Sequence, residues 1–265
     1  MNHIGSNRIG KWVLVLLLLA MFTAPQLFAA SNDSDPTAPQ PQNSPSGFDI
    51  GKTRMFIGAH AGMNFPNASS DLFASATNNL TLQKKDFQSP LFSFDFGISF
   101  QSHFAAVFAV EYSQASPVSE FRHFVDENGN SIVQTTHFSQ MPITGTFRYY
   151  PLKTGESVGS YVWMPARLSP YLAAGGGVMR YDFRQEGSFV DNKTLNIFEH
   201  IFESDGFAPA AHLAGGFDIN ISKRIFANFE ARYVLSHKRL STDFINFKPI
   251  DLWGLRTTGG FGIRF

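Results

Sequence analysis

Residues 92–100 read FSFDFGISF, in which four phenylalanines and one isoleucine alternate with serine, aspartate and glycine. Successive side chains of a β-strand point to opposite faces, so this stretch predicts a strand with one apolar and one polar face. Residues 104–112, FAAVFAVEY, repeat the period of two, with Phe104, Phe108 and Tyr112 on the apolar face. Because only residues 101–103 connect the two stretches, we expect them to pair as an antiparallel hairpin.

The same alternation recurs along the rest of the chain and gives eight candidate strands in total. The other six lie at residues 55–63, 141–149, 171–183, 211–221, 225–235 and 253–265, and glycine and alanine dilute the pattern in 55–63 and 171–183. Each stretch is close to the ~9–11 residues that a tilted strand needs to cross a membrane. Alternation alone fits a soluble sandwich as well as a membrane barrel, because both have one apolar face.

The lengths of the connections favour the barrel. Short connections at residues 101–103 and 222–223 contrast with long ones at 64–91, 116–140, 184–206 and 237–251. Outer-membrane barrels have short periplasmic turns and long outer loops, which is the alternation found here. The middle turn, residues 152–168, is longer than this rule allows.

Charged residues are confined to the second face of the predicted strands. That face carries five acids and six bases, and every base is arginine: Asp95, Glu111, Arg148, Arg180, Asp182, Asp218, Arg224, Glu230, Arg232, Arg256 and Arg264. The forked guanidinium group suits bidentate carboxylate pairing in confined places, whereas lysine would serve as well in bulk water. An eight-stranded interior is just wide enough for side chains to fill it. We therefore predict a lumen network of Asp95, Glu111, Arg148, Asp218, Glu230, Arg232, Arg256 and Arg264.

Aromatic residues bracket the strand ends, as in the girdles that mark both interfaces of a membrane barrel. The bracketing pairs are Phe92 and Phe100, Phe104 and Tyr112, Tyr171 and Tyr181, and Trp253 and Phe265. With loop length and charge segregation, they predict an all-β protein. We expect an eight-stranded antiparallel up-and-down transmembrane β-barrel with short periplasmic turns and long outer loops.

The N-terminal region predicts export. Arg8 and Lys11 precede an apolar run at residues 12–22, which is too short to cross a hydrocarbon core of ~30 Å as a helix. With small residues at 29–31, this pattern indicates a cleaved signal peptide over residues 1–30, and a buried helix is the alternative. The Pro-, Ser- and Asn-rich residues 31–49 predict a linker, and residues 50–265 the barrel. The expected location is the bacterial outer membrane.

Composition excludes several functions. Twenty-one basic and 21 acidic residues leave no positive excess for nucleic acid, and the absence of cysteine excludes disulfides and a thiol nucleophile. His60 and His212 lack metal-ligand spacing, so we expect no metal and no cofactor.

Ser236, His237, Ser241 and Asp243 lie at the outer end of the seventh strand. They are either polar residues at a strand-to-loop junction or, alternatively, a catalytic site. A serine nucleophile needs its base within hydrogen-bond reach. Ser236 and His237 are strand neighbours and point to opposite faces, so we expect no catalytic residues.

Two outer loops carry their own patterns. Asn128-Gly129 lies between apolar stretches at 121–125 and 132–138, which predicts a hairpin that extends beyond the membrane. Another loop holds Leu195, Ile197, Phe198, Ile201 and Phe202, a cluster that either packs on the barrel mouth or meets a partner.

Two further stretches carry a family resemblance: SPYLAAGGG at residues 169–177 and GGFGIRF at 259–265. With them, residues 50–265 resemble the outer membrane protein A-like barrel domains of Gram-negative bacteria, without the peptidoglycan-binding domain. In that class the last strand ends in an aromatic residue that the barrel assembly machinery reads, so the resemblance implies Phe265 as the assembly signal. It also implies contact with outer-membrane lipid and lipopolysaccharide.

The sequence as a whole predicts a monomeric, non-enzymatic outer-membrane barrel with a structural or surface-interaction role. Its outer loops are candidates for binding an extracellular ligand. A narrow conduit for small or hydrophobic solutes is the first alternative, and a lipid-modifying outer-membrane enzyme is the second.

Overall fold

A computed structural model describes residues 54–100, 102–125, 129–158, 162–191, 196–240, 242–244 and 247–265. The predicted signal peptide and linker lie outside these residues and stay predictions. The described part forms one α-helix, α1 (Asp71–Asn79), and twelve strands. The strands are β1 (Met55–Pro66), β2 (Ser89–Ser99), β3 (Phe104–Ala115), β4 (Val118–Val125), β5 (Ser131–Tyr149), β6 (Gly155–Val158), β7 (Val162–Pro165), β8 (Leu168–Val190), β9 (Ile197–Asn220), β10 (Ile225–Lys238), β11 (Ile250–Asp251) and β12 (Gly254–Arg264).

Eight of these strands close into a ring, and every pairing in it is antiparallel. The order is β1, β2, β3, β5, β8, β9, β10 and β12, and β12 pairs back with β1. Ile57 of β1, for example, lies opposite Phe96 of β2 on one side and Ile263 of β12 on the other. The predicted eight-stranded antiparallel up-and-down barrel is confirmed.

Three of the ring strands are much longer than a membrane crossing requires. β8 has 23 residues and β9 has 24, about twice the ~9–11 residues of a tilted crossing. Their outer halves pair with each other, the outer half of β8 also pairs with residues 134–140 of β5, and β4 pairs on the far side of β5. We call this extension, formed by β4 and residues 131–140, 179–190 and 197–207, the outer ribbon.

The β4–β5 hairpin bears out the hairpin predicted at Asn128-Gly129. Val118 lies opposite Thr135 and Val125 opposite Ser131. Gly129 has φ +81°, a left-handed conformation that glycine adopts without steric cost. Residues 126–128 of the turn lie outside the described residues.

The long middle turn at the opposite end holds a small sheet of its own. β6 and β7 pair with each other, with Glu156 opposite Met164, and form a two-stranded sheet separate from the ring. The turn departs from the short-turn rule because it contains this extra hairpin.

The exterior of the ring carries an apolar belt on all eight strands. Its exposed members include Ile57, Phe94, Phe108, Phe147, Leu172, Leu213, Phe229 and Phe261. On β8 the belt runs from Leu168 to Val178, which is one crossing in length. Within the described ranges, the helices are all too short or too polar to span a membrane.

The predicted faces of β8 are wrong. Tyr171 and Tyr181, expected in an exterior girdle, are buried inside at 2% and 1% exposure. Arg180 and Asp182, expected on the lumen side, alternate with them and lie outward above the belt. Packing sets this phase, because Met179, Tyr181 and Phe183 fill an apolar cluster beneath α1. Arg224 was also misassigned, since it lies in the exposed turn before β10.

The inward face carries three successive groups of buried side chains. Near the short turns lies an aromatic group that includes Phe56, Tyr150, Tyr171 and Phe226. Charged and amide side chains follow at mid-height, and an apolar cluster fills the outer end. Glycines make room for the lower rings: a Cβ on Gly97 would lie 2.0 Å from the ring of Phe56.

Candidate functional site in the barrel lumen

The eight residues of the predicted lumen network all lie on the inward face of the ring. Four are carboxylates and four are arginines; seven of them are buried, and Arg264 is partly buried, with its side chain 12% exposed. They come from six of the eight ring strands, so the sheet closure brings together residues as far apart in sequence as Asp95 and Arg264.

Glu230 stands at the centre of this group. Its Oε1 accepts hydrogen bonds from Arg232, at 2.8 Å from Nε and 2.7 Å from Nη2. Its Oε2 accepts hydrogen bonds from Arg148 Nη2 at 3.2 Å and from the hydroxyl of Tyr171 at 2.7 Å. Both oxygens are therefore fully engaged, which is what a confined carboxylate requires.

Glu111 forms a second centre on the opposite wall. Its Oε1 lies 2.5 Å from Nη1 of Arg232, and its Oε2 lies 2.8 Å from Nη1 of Arg256. Arg256 also donates to Gln140 Oε1 at 2.9 Å, and Asn64 Nδ2 donates to the same oxygen at 3.0 Å. Arg232 thus bridges both glutamates, and the side chains of five strands are tied together.

Asp95 links the central group to His60 on β1. Its Oδ2 lies 3.4 Å from Nη2 of Arg148, and its Oδ1 lies 3.2 Å from Nε2 of His60. The Arg148 guanidinium also lies over the ring of Tyr171, at 4.6 Å from the centroid, and this cation–π contact adds to its ion pairs.

Asp218 and Arg264 form a lower pair near the short turns. Arg264 Nη2 lies 3.4 Å from Asp218 Oδ2, and its guanidinium lies 4.1 Å from the ring centroid of Phe226. Asn228 donates to Asp218 at 2.7 Å and to the Tyr171 hydroxyl at 2.9 Å. Since Tyr171 in turn contacts Glu230, the lower pair is connected to the central group through neutral side chains.

The neutral members of this arrangement were missed or misplaced by the sequence reasoning. The sequence pattern predicts Tyr171 outside, puts Asn228 on the inner face without a role in the network, and gives no role to Tyr150, Asn64 or Gln140. Gln140 shares the inward parity of Arg148, Asn228 that of Glu230 and Asn64 that of His60, so a search for every polar residue on those parities would find these three but not Tyr171. Tyr150, just beyond the end of β5, donates to Asp218 Oδ2 at 3.2 Å.

An apolar cap lies above the charged group, and the sequence did not predict it. Leu72, Phe73 and Ala76 of α1 are buried in the outer mouth, where Phe73 meets Phe138 and Phe183 edge-to-face at 5.3 and 5.8 Å. These contacts place a packed core across the outer end of the ring.

Asp251 from the last outer loop holds the start of α1. Its carboxylate accepts hydrogen bonds from the backbone N–H groups of Ser69 and Ser70, each at 2.9 Å, and from the Ser69 hydroxyl at 2.8 Å. This interaction satisfies N–H groups at the helix start, which intrahelical bonds leave open.

The alternative catalytic residues do not come together. Ser236 is buried on the inward face, and His237 is exposed on the outward face. The Asp243 carboxylate accepts a hydrogen bond from the backbone N–H of Glu203, and Ser241 lies outside the described residues. Within the described ranges, His, Cys, Asp and Glu side chains form no group of three that could hold a metal ion.

Phe265 lies where the ring closes. Its backbone N–H donates to Met55 O at 2.9 Å, the Met55 N–H donates back at 3.1 Å, and its side chain is exposed on the exterior. Its role as an assembly signal stays a prediction.

One described member of the apolar loop cluster packs on the barrel mouth, and contact of the others with a partner stays a prediction. Phe202 packs against the apolar cap, whereas Ile197, Phe198 and Ile201 are exposed on the outer ribbon. Leu195 lies outside the described residues.

No protein family and no curated protein matches this sequence. Several solved barrels resemble the structure. The outer membrane protein OprG of Pseudomonas aeruginosa is 14% identical, with a TM-score of 0.45 over 82% of this chain and 99% of that chain. The N-terminal β-barrel domain of OprF from the same organism is 11% identical, with a TM-score of 0.36 over 80% and 98%. Ail, the attachment invasion locus protein of Yersinia pestis, is 11% identical, with a TM-score of 0.39 over 81% and 99%. Similarity at this level says nothing about activity or ligands.

Proposed function

We propose that this protein is a non-enzymatic barrel of the bacterial outer membrane with a structural or surface-interaction role, and that side chains plug its lumen. The observation that carries this proposal is the contrast between the two surfaces of the ring. The outer surface is an apolar belt, and the inner surface is filled by charged, aromatic and apolar side chains.

The exterior supports membrane insertion. Large apolar side chains such as Phe94, Leu213 and Phe261 are exposed by more than half of their surface. A soluble protein rarely leaves a continuous apolar surface of this size in water, whereas lipid covers it at no cost. The closed ring also leaves no unpaired strand edge at the level of the belt, which a hydrocarbon environment demands.

The interior supports a plug. Four arginines face four carboxylates, so the confined charge sums to zero, and the ion pairs span the ring from Asp95 to Arg256. An eight-stranded ring leaves little more than side-chain space. Three filled layers in series, aromatic below, charged at the centre and apolar above, support a lumen without a continuous aqueous path.

The outer ribbon supports a role at the cell surface. It continues above the belt for about one further crossing length and exposes apolar residues such as Val118, Phe124 and Ile197. Exposed apolar residues on a projecting surface are typical of interaction sites. We assign no specific partner to the ribbon as a whole.

Site-directed labelling tests the location and orientation. The chain has no cysteine, so a single introduced cysteine reports one position. Glu199→Cys lies on the outer ribbon and Lys223→Cys in the short turn before β10, and both positions are exposed. A membrane-impermeant maleimide on intact cells should label Glu199→Cys, and should label Lys223→Cys only after the outer membrane is opened. Equal labelling of both in intact cells, or absence from the outer-membrane fraction, would contradict the proposal.

The non-enzymatic part has a separate test. Overproduction of the protein should leave the mass spectrum of lipid A unchanged. A new lipid A species that disappears in Ser236→Ala would establish the lipid-modifying enzyme instead.

A further inference from the structure

A cleft opens at the outer end of the barrel, between α1 and the face of the outer ribbon that continues the lumen wall. Its volume is about 180 Å³. Five phenylalanines supply most of its aromatic lining, namely Phe121, Phe189, Phe202, Phe244 and Phe247. It lies above the charged network and contains none of the eight network residues, but it shares Leu72 and Ala76 with the apolar cap.

The described lining of the cleft carries charge of one sign, and Arg122, which does not belong to that lining, donates to the backbone oxygen of Leu80 at 2.6 Å. Asp243 contributes the single ionisable side chain among the described residues that line it, and none of those residues is basic. The remaining polar lining is uncharged and includes the amides of Gln134, Gln185 and Asn79. The carboxylate of Asp243, which is exposed, would repel an anion there, and a neutral apolar ligand would remove part of its water without replacing it.

The wall around Asp243 is held in place by its own contacts. The ring of Phe244 packs against Phe202 at 6.1 Å and against Phe247 at 5.9 Å, and Phe202 meets Phe189 edge-to-face at 4.8 Å. The Asp243 Oδ2 atom accepts a hydrogen bond from the Glu203 backbone N–H at 3.3 Å. Aromatic rings and a carboxylate therefore converge on one small space before any ligand enters.

We propose that this cleft binds a small organic cation, with an alkylammonium or quaternary ammonium group between the phenylalanine rings and Asp243. The faces of aromatic rings attract cations, and the attraction grows when the cation leaves water. A carboxylate beside the rings adds charge complementarity. A metal ion would instead require several oxygen ligands, and Asp243 is the one carboxylate that the described lining supplies.

Choline and its neutral isostere 3,3-dimethylbutan-1-ol form a matched pair of probes, because they differ in charge and hardly in shape. The full chain is refolded in octyl glucoside, which has no ammonium group, and binding is followed by calorimetry or by line broadening of the probe. Choline should bind roughly tenfold more tightly than the isostere. Equal binding of the two would show an apolar cleft without cation selectivity and would overturn the proposal, as would the absence of choline binding.

Variants locate the bound cation. Asp243→Asn keeps the hydrogen-bond acceptor for Glu203 but removes the charge, and Phe202→Leu removes one ring. Each variant should weaken choline binding by about fivefold or more. Asp243→Asn should leave binding of the isostere little changed. Glu199→Gln, an exposed acid on the same ribbon, is the control and should bind choline as the wild type does. Heat-modifiable gel mobility confirms that each variant is folded. Unchanged choline binding in both folded cleft variants would overturn the proposal.

Discussion

Glu230→Gln is the most informative perturbation of the lumen, because it keeps the shape of the side chain and removes one charge. Glu230 accepts hydrogen bonds from Arg148, Arg232 and Tyr171. Removing the charge of one partner in a buried ion pair lowers the free energy of unfolding by about 3–5 kcal/mol. Arg232 keeps Glu111 and Arg148 keeps Asp95, so the loss should lie at the lower end, about 3 kcal/mol.

The assay is a urea titration of the protein in lipid vesicles, read by tryptophan fluorescence and by the heat-shifted gel band. Glu199→Gln is the control, because it removes an acid from the exposed outer ribbon and should change the free energy of unfolding by less than about 0.5 kcal/mol. The double variant Glu230→Gln/Arg148→Met restores charge balance and should lose less stability than the sum of the two single variants. A loss below about 1 kcal/mol for Glu230→Gln, or strict additivity in the double variant, would refute the role of the network in holding the barrel together.

Three further changes test the other parts of the structure. Phe96→Arg in the belt should lower the free energy of unfolding in vesicles by about 2–4 kcal/mol, whereas Phe198→Arg on the outer ribbon, at similar exposure, should change it little; equal losses would mean that the belt is misplaced. Phe73→Ala should cost about 3–5 kcal/mol in the same titration by emptying the centre of the apolar cap, and an unchanged stability would show that α1 does not pack there in the membrane. Deletion of Phe265 should reduce the amount of heat-modifiable protein in the outer-membrane fraction, and wild-type levels would remove the support for an assembly signal.

The ring was predictable from sequence because its signal is local. In 92–100 and 104–112 every second residue is apolar and most of these are large, so the period of two assigns each side chain to a face without knowledge of its neighbours. The inward charges follow from the same parity. Of the eleven charged residues that this parity assigns to the inner face, eight face the lumen, whereas Arg180, Asp182 and Arg224 do not.

The faces of β8 were not predictable in this way. Its central residues are Ala173 to Gly177, which are too small to distinguish one face from the other. Tyr171 was placed outside because tyrosine suits a membrane interface, yet its hydroxyl finds Glu230 and Asn228 inside the ring. Both of these partners belong to β10, which lies far away in sequence.

The apolar cap depends on contacts that no local pattern encodes. Phe73 comes from the first outer loop, Phe138 from β5, Phe183 from β8 and Ile250 from the last loop, and they meet only after the ring has closed. The anchoring of α1 by Asp251 is equally non-local. Sequence could identify these residues as apolar or polar, but not as neighbours.

A single measurement tests the central claim that the lumen is plugged: the conductance of the wild-type full chain in planar lipid bilayers. Insertion is verified in the same lipid by heat-modifiable mobility, and an open porin in the same membrane serves as the positive control. Since three filled layers lie in series along the lumen, we predict no stable conductance steps above the bare bilayer. Reproducible steps of one size, scaling with salt concentration, would contradict the plug and establish the narrow conduit as the function.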